Sequence, residues 1–255
     1  MKVFSKRGQV TIFVIVALVI VGILLAIFLY PRTSINSEGV NENPSTYLID
    51  CIKPVINVQL GKILDQGGFS DPEGYITRDG VKIKYLCYTS EYYTTCVNQV
   101  PLLIRQVESE LTDIVQENMP QCLEQMKNDY ENRGISVSVG SVVTNTSINS
   151  KGISIDIESP ITITRETTQT FREYNVVVPS KIYDLLSIAT SIIEFESAYG
   201  DADTVLYLQY YPNLKMEKNV LSDGTTIYKL TDVNTDESFT FASRSVAWPP
   251  GYRVN

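Results

Sequence analysis

The sequence predicts an α+β protein: an N-terminal transmembrane helix, then an extracellular helical region and an antiparallel sheet. Three observations carry this expectation. Residues 9–30 contain no charged side chain. Apolar residues recur at helical spacing over 47–66 and again over 100–130. From Ile135 onward the apolar period drops to two, interrupted by one further helical stretch. Helices first, then strands on both sides of a single helix, is the order of an α+β domain.

A helix over the charge-free run would reach roughly 30 Å, the depth of a bilayer core. Lys2, Lys6 and Arg7 precede it, and Arg32 follows. A basic flank favours the cytoplasmic side, which predicts a single-pass protein with its N-terminus inside and its C-terminal domain extracellular. The run exceeds the apolar core of an ordinary secretory signal, and Tyr30-Pro31-Arg32 is a poor cleavage site. The attractive cut lies before the run, between Gly8 and Gln9. Within it, Gly22 and Ala26 form a small-xxx-small pair of the kind that lets helix backbones approach.

Basic residues, Gly8, Gln9 and an unbroken apolar stretch resemble the class III signal of archaeal type IV prepilins and archaellins. The resemblance covers about the first 31 residues. It implies a leader over 1–8, removed by a prepilin-type peptidase, and a filament-core helix over 9–31 that stays on the mature protein. Phe13 stands where bacterial pilins carry glutamate, so their assembly chemistry is not carried over. The ectodomain layout, with a cysteine helix ending in Gly67-Gly68 and a late Phe239-Thr240-Phe241-Ala242-Ser243-Arg244 run, resembles prepilin-signal surface proteins of small-genome archaea.

Residues 32–45 read as a polar tether, with Ser45 or Thr46 as the cap of the next helix and the extracellular domain spanning 46–255. The helix over 47–66 carries Leu48, Ile52, Val55, Ile56, Leu60 and Ile63. Pro54 should kink or restart it, and Gly67-Gly68 should end it. Asp79-Gly80 predicts a hairpin turn before a strand over 80–89. The helix over 100–130 presents Leu103, Ile104, Val107, Leu111, Ile114 and Val115 on one face, and Pro120 should break it. Strands follow at 135–139, 153–157, 161–163 and 174–178. A helix begins after Pro179-Ser180 and stops at Gly200. Three more strands are expected at 204–211, 225–231 and 238–244.

Composition narrows the chemistry. Of 21 basic and 29 acidic residues, three basic and no acidic ones lie in 1–31, leaving 18 against 29. A balance of −11 disfavours nucleic acid as a partner. There is no histidine, which excludes Ser-His-Asp and Cys-His catalysis and His-ligated zinc. Cys51, Cys87, Cys96 and Cys122 lack Cys-x-x-Cys spacing and all follow the apolar run. Two disulfides are expected, with three connectivities open; Cys87–Cys96 and Cys51–Cys122 are favoured over the others and over buried free thiols.

Candidate sites are few. Asp232-x-Asn234-x-Asp236 opens like a calcium loop, but Glu237 and Ser243 stand where glycine and the clamping glutamate belong. A solvated hairpin turn is the favoured reading there, and for Asp201 and Asp203 too. Glu108/Glu110 and Glu194/Glu196 read as solvated helix faces, since residues two apart on a helix diverge. Asn145 heads an N-x-S/T sequon, read as either a glycan acceptor or a bare turn. Among sixteen tyrosines, Tyr88, Tyr92 and Tyr93, with Trp248 and Tyr252, are expected to form an exposed aromatic patch for sugar or protein.

The leading expectation is therefore a pilin-like surface protein that acts in filament assembly or adhesion, not catalysis. Its partners would be the membrane, the prepilin-type peptidase and other pilin-like subunits through the N-terminal helix, with no nucleic acid and no cofactor. The alternatives are a membrane-anchored surface binding protein that does not polymerise, and, less favoured, a cation-dependent glycan-active enzyme.

Overall fold

The computed structural model describes residues 18–21 and 43–247. The chain divides into two units, Met1–Glu42 and Asn43–Asn255. In the first, residues 18–21 are helical and exposed. Among the described residues no helix is long and apolar enough to cross a membrane, which corrects the expected transmembrane helix. The rest of that expected helix, the leader over 1–8 and the tether up to residue 42 lie outside the described residues.

The second unit opens with α1 (Pro44–Asp65), capped by the Asn43 side chain, which accepts from Ser45 N at 3.0 Å. The cap thus lies two residues ahead of the expected Ser45. Gly67, at φ 74°, turns the chain out of the helix, and Gly68 N donates to Ile63 O at 2.9 Å, closing a Schellman-type end. Two short strands, β1 (Tyr75–Arg78) and β2 (Val81–Tyr88), form the expected hairpin through Asp79 and Gly80, both at positive φ. After β3 (Val97–Asn98) comes α2 (Leu103–Glu131).

Neither proline breaks its helix. Pro54 and Pro120 both sit inside continuous helices and both are exposed. The carbonyl four residues earlier loses its N–H partner, but on an exposed helix face that carbonyl is open to solvent, which lowers the cost.

Then come β4 (Ser136–Val139), β5 (Val143–Asn149), β6 (Gly152–Thr164) and β7 (Thr168–Val178). The runs at 153–157 and 161–163 are one strand, with a register shift between Glu158 and Ile161. Next are α3 (Ile182–Tyr199), ended by Gly200 at φ 92°, and α4 (Thr204–Tyr210). The last three strands are β8 (Leu214–Val220), β9 (Thr225–Asp232) and β10 (Ser238–Arg244).

The expected antiparallel sheet is corrected to two sheets, one of them mixed. In the first the order is β1-β2-β10-β9-β8, with β3 also paired to β2, and β2 and β10 run parallel. In the second, β6 is central, with β7 along one edge and β4 and β5 sharing the other. The strand expected at 204–211 is the helix α4, because Asp203 caps it by accepting from Val205 N at 2.9 Å. The strand beside it is β8, whose Lys-Met-Glu-Lys sequence hides a half-exposed pattern.

The helices join the two sheets. α1 packs on α2, β10 and β7, and α2 covers β4 and β5. α3 lies against β10, β9 and β2. Leu48, Ile52, Ile56 and Ile63 of α1, Val107, Val115, Met119 and Met126 of α2, and Phe239 and Phe241 of β10 are fully buried.

Candidate binding surface

The Asp-Gly turn fixes the β1–β2 register: Arg78 faces Val81, and counting outward Tyr75 faces Lys84. That brings Tyr75, Lys84, Tyr85 and Tyr88 to one end of the first sheet. With Gly74 and Gln99 they line a cavity of about 340 Å3. Tyr85 and Tyr88 meet edge to face at 5.0 Å between ring centroids. The Tyr85 hydroxyl lies 3.0 Å from Thr225 Oγ1, and burial, first of all, pushes its pKa up. Tyr75 and Tyr88 remain about 40% exposed, at 43% and 39%. A wall of partly exposed tyrosine offers apolar faces with polar tips, suited to adaptable recognition.

Lys84 Nζ donates to the Glu73 main-chain carbonyl and lies 5.1 Å above the Phe69 ring. It makes no ion pair among the described residues. Burial holds its pKa below the usual lysine value, with Glu73 acting weakly the other way. Lys82, on the same face, is paired with Asp71 at 2.7 Å and stands 5.0 Å over Tyr75.

The disulfides are those favoured from the sequence. Cys87–Cys96 pins the loop after β2, and Cys51–Cys122 ties α1 to α2. The pinned loop carries Tyr92 and Tyr93, exposed at 62% and 73%. It is zipped to the chain after β10: Tyr93 N donates to Val246 O at 2.7 Å and Val246 N to Thr94 O at 3.2 Å. Arg244 donates to Thr89 O and to Asp223 O, and its guanidinium lies 5.4 Å over Tyr92. Tyr88, Tyr92 and Tyr93 are thus exposed as expected, while Trp248 and Tyr252 lie outside the described residues. Gly8 and Gln9 do too.

The carboxylates are used differently from the sequence expectation. Glu196 is 2% exposed: its Oε1 accepts from the Tyr228 hydroxyl and the Ser243 hydroxyl lies against it. Ser245 Oγ donates to its main-chain oxygen at 3.2 Å. Burial is the largest influence and raises its pKa. Asp201, also buried, pairs with Lys218 at 2.8 Å. Glu108 is 7% exposed and accepts from Ile148 N at 2.8 Å, and Glu110 accepts from Ser70 N at 3.1 Å. The solvated-face reading is therefore corrected for Glu108 and Glu196, and the open-turn reading for Asp201. The signal lay in helical spacing: Glu196 follows Ile192 by four on the buried stripe of α3, and Glu108 precedes Leu111 by three on that of α2.

Asp203 caps α4. Asp232 Oδ1 accepts from Asn234 N and Thr235 N, both at 3.0 Å, which makes its loop the hairpin turn of β9 and β10. Asp236, at φ 59°, closes that turn with its N–H on Asp232 O. Among the described residues no three Cys, Asp or Glu side chains are grouped to hold a metal ion. Asn145 is exposed but sits within β5 opposite Asp156, which corrects the bare-turn reading.

Sequence reasoning missed Tyr75, Lys84 and Gln99 as site residues. The first two were reachable by counting outward from Asp79-Gly80; Gln99 reaches the cleft through its N–H to Leu86 O at 2.8 Å, a tertiary bond. Compared with family models, with curated proteins and with solved structures, the chain matches none.

Proposed function

We propose that this chain is a pilin-like surface protein whose domain over 43–247 works at the outer face of the cell membrane in adhesion or assembly, not in turnover. The observation that carries the reading is the tyrosine-lined cleft beside a loop pinned by Cys87–Cys96. An exposed aromatic surface on a rigid support costs little conformational entropy to use in binding. Pairing of all four cysteines favours an oxidising compartment. The Lys6-Arg7-Gly8-Gln9 pattern supports prepilin-type processing.

The test has two parts. Mass spectrometry of the native protein should find a mature chain that begins at Gln9; a start at Met1 or Lys2 removes the prepilin reading. Shearing of intact cells should release filaments that contain this chain. The cleft itself needs no polymer, which favours a second reading as a non-polymerising surface binding protein. That reading expects the sheared fraction to lack the chain, while cells deprived of it attach less well to their target surface.

A further inference from the structure

The cleft at the β1–β2 edge joins two features that point to one ligand class. Tyr75, Tyr85 and Tyr88 offer ring surface, and Lys84 offers a half-withdrawn ammonium that donates to a main-chain carbonyl and lies over an aromatic face. Neither neutralises a full charge. The neighbouring cation, Lys82, already has Asp71. A volume of about 340 Å3 suits one or two six-membered rings. Tyrosine stacks on the apolar C–H faces of a sugar while phenolic hydroxyls and the Gln99 amide reach its hydroxyls. Gln99 Nε2 donates to Val97 O at 2.8 Å, which holds that amide in place.

We infer that this cleft binds an acidic pyranose of a surface polysaccharide, with the sugar ring stacked on Tyr75 and Tyr88 and its carboxylate on the Lys84 ammonium. The inference rests on the proposed adhesive role and names its ligand. The chain's formal charge of −8 does not forbid an anionic ligand. At physiological ionic strength the Debye length is about 8 Å, so the cation inside the cleft outweighs distant surface carboxylates. A carboxylate would also stabilise the charged form of Lys84, which burial disfavours.

The test uses the full-length chain immobilised on a sensor surface. The probes are oligomers of galacturonate, glucuronate and mannuronate, each beside its fully methyl-esterified form, with poly-glutamate as an anion control. The expected result is saturable binding of at least one acidic oligomer, about tenfold or more tighter than its ester. Tyr75→Ala and Tyr88→Ala should weaken acid and ester alike, about tenfold each. Lys84→Met should remove the preference for the acid, bringing acid and ester to the same affinity; both substituted tyrosines are partly exposed, and an unchanged far-ultraviolet circular dichroism spectrum checks that the variants fold. Absence of binding to all three acids, equal binding of acid and ester, or poly-glutamate binding as tightly as the sugars overturns the inference. Cells that still attach through this chain while none of the three acids binds it remove only the sugar assignment. Cells whose attachment is indifferent to the chain remove the adhesive role itself, whatever the sensor shows.

Discussion

At the scale of single residues, two buried polar side chains make opposite demands. Tyr174 is 4% exposed and its hydroxyl finds no hydrogen-bond partner among the described residues. Removal of an unsatisfied buried polar group is a gain, so Tyr174→Phe is expected to stabilise the fold by about 1 kcal/mol, read as a raised urea midpoint at constant slope. Glu196 is a buried carboxyl satisfied on one side: its Oε1 accepts from the Tyr228 hydroxyl, while its Oε2 has no hydrogen-bond partner among the described residues. It faces Tyr228 and Ser243 from the first sheet, Lys218 from β8, Asp201 from the turn after α3, and Tyr207 from α4. Burial sets the direction and raises its pKa above the unfolded value. The folded state then binds the proton more tightly than the unfolded one. The stability this group contributes is complete below the ordinary carboxylate range and is lost as pH rises through the folded value. Urea midpoints should therefore fall from mildly acid toward alkaline pH. Glu196→Gln, which keeps an acceptor for Tyr228 and cannot ionise, should flatten that fall. Glu196→Ala should cost about 1–3 kcal/mol at every pH, because the Tyr228 hydroxyl loses its acceptor.

At the scale of elements, the edge of β5 shows how α2 earns its polar stripe. β5 pairs only with β6, which leaves the N–H groups of Thr144, Thr146 and Ile148 pointing away from the sheet. Gln116 Oε1, Thr112 Oγ1 and Glu108 Oε1 accept them at 3.0, 3.1 and 2.8 Å. Three side chains spaced by four on a helix match N–H groups spaced by two on a strand: about 6 Å per step on the helix against about 6.6 Å on the strand. The helix thus closes a strand edge that would otherwise template pairing with another chain. Glu108→Ala is expected to cost about 2 kcal/mol and to promote self-association, measured by urea unfolding and by sedimentation. Glu117→Ala, on the exposed face of the same helix, should do neither. Gly152 has an equally specific place in the β5–β6 turn. At φ 131°, a Cβ there would lie 2.3 Å from Val178 O, so Gly152→Ala should destabilise the second sheet.

For the molecule as a whole, the helices are shared between the sheets, with α1 touching both β10 and β7. Loss of either sheet would expose the same helices. Unfolding of the 43–247 unit is therefore expected to be one cooperative transition, with far- and near-ultraviolet circular dichroism coincident. The disulfides constrain its unfolded state unequally, since their sequence separations are 71 and 9 residues. On the chain-entropy argument, Cys51→Ser/Cys122→Ser should cost about 4 kcal/mol and Cys87→Ser/Cys96→Ser about 2.5 kcal/mol. Thermal unfolding of the two double variants checks the order.

Local physics was legible in the residues themselves. Helical spacing marked α1, α2 and α3, alternation marked β4, β6, β9 and β10, and Asp79-Gly80 marked the hairpin that sets Tyr75 against Lys84. The cysteine pairing followed from loop length and helix position. Whatever depended on a distant partner was decided only by tertiary packing. Pro54 and Pro120 are tolerated because they face outward, and 204–210 is helical because Asp203 caps it against β8. β2 and β10 lie parallel across some 150 residues of chain, a pairing that no local pattern encodes. Glu108 and Glu196 were carboxylates on a helix until packing buried them. Residue spacing fixes which face a side chain occupies, but what that face meets depends on where the rest of the chain comes to lie.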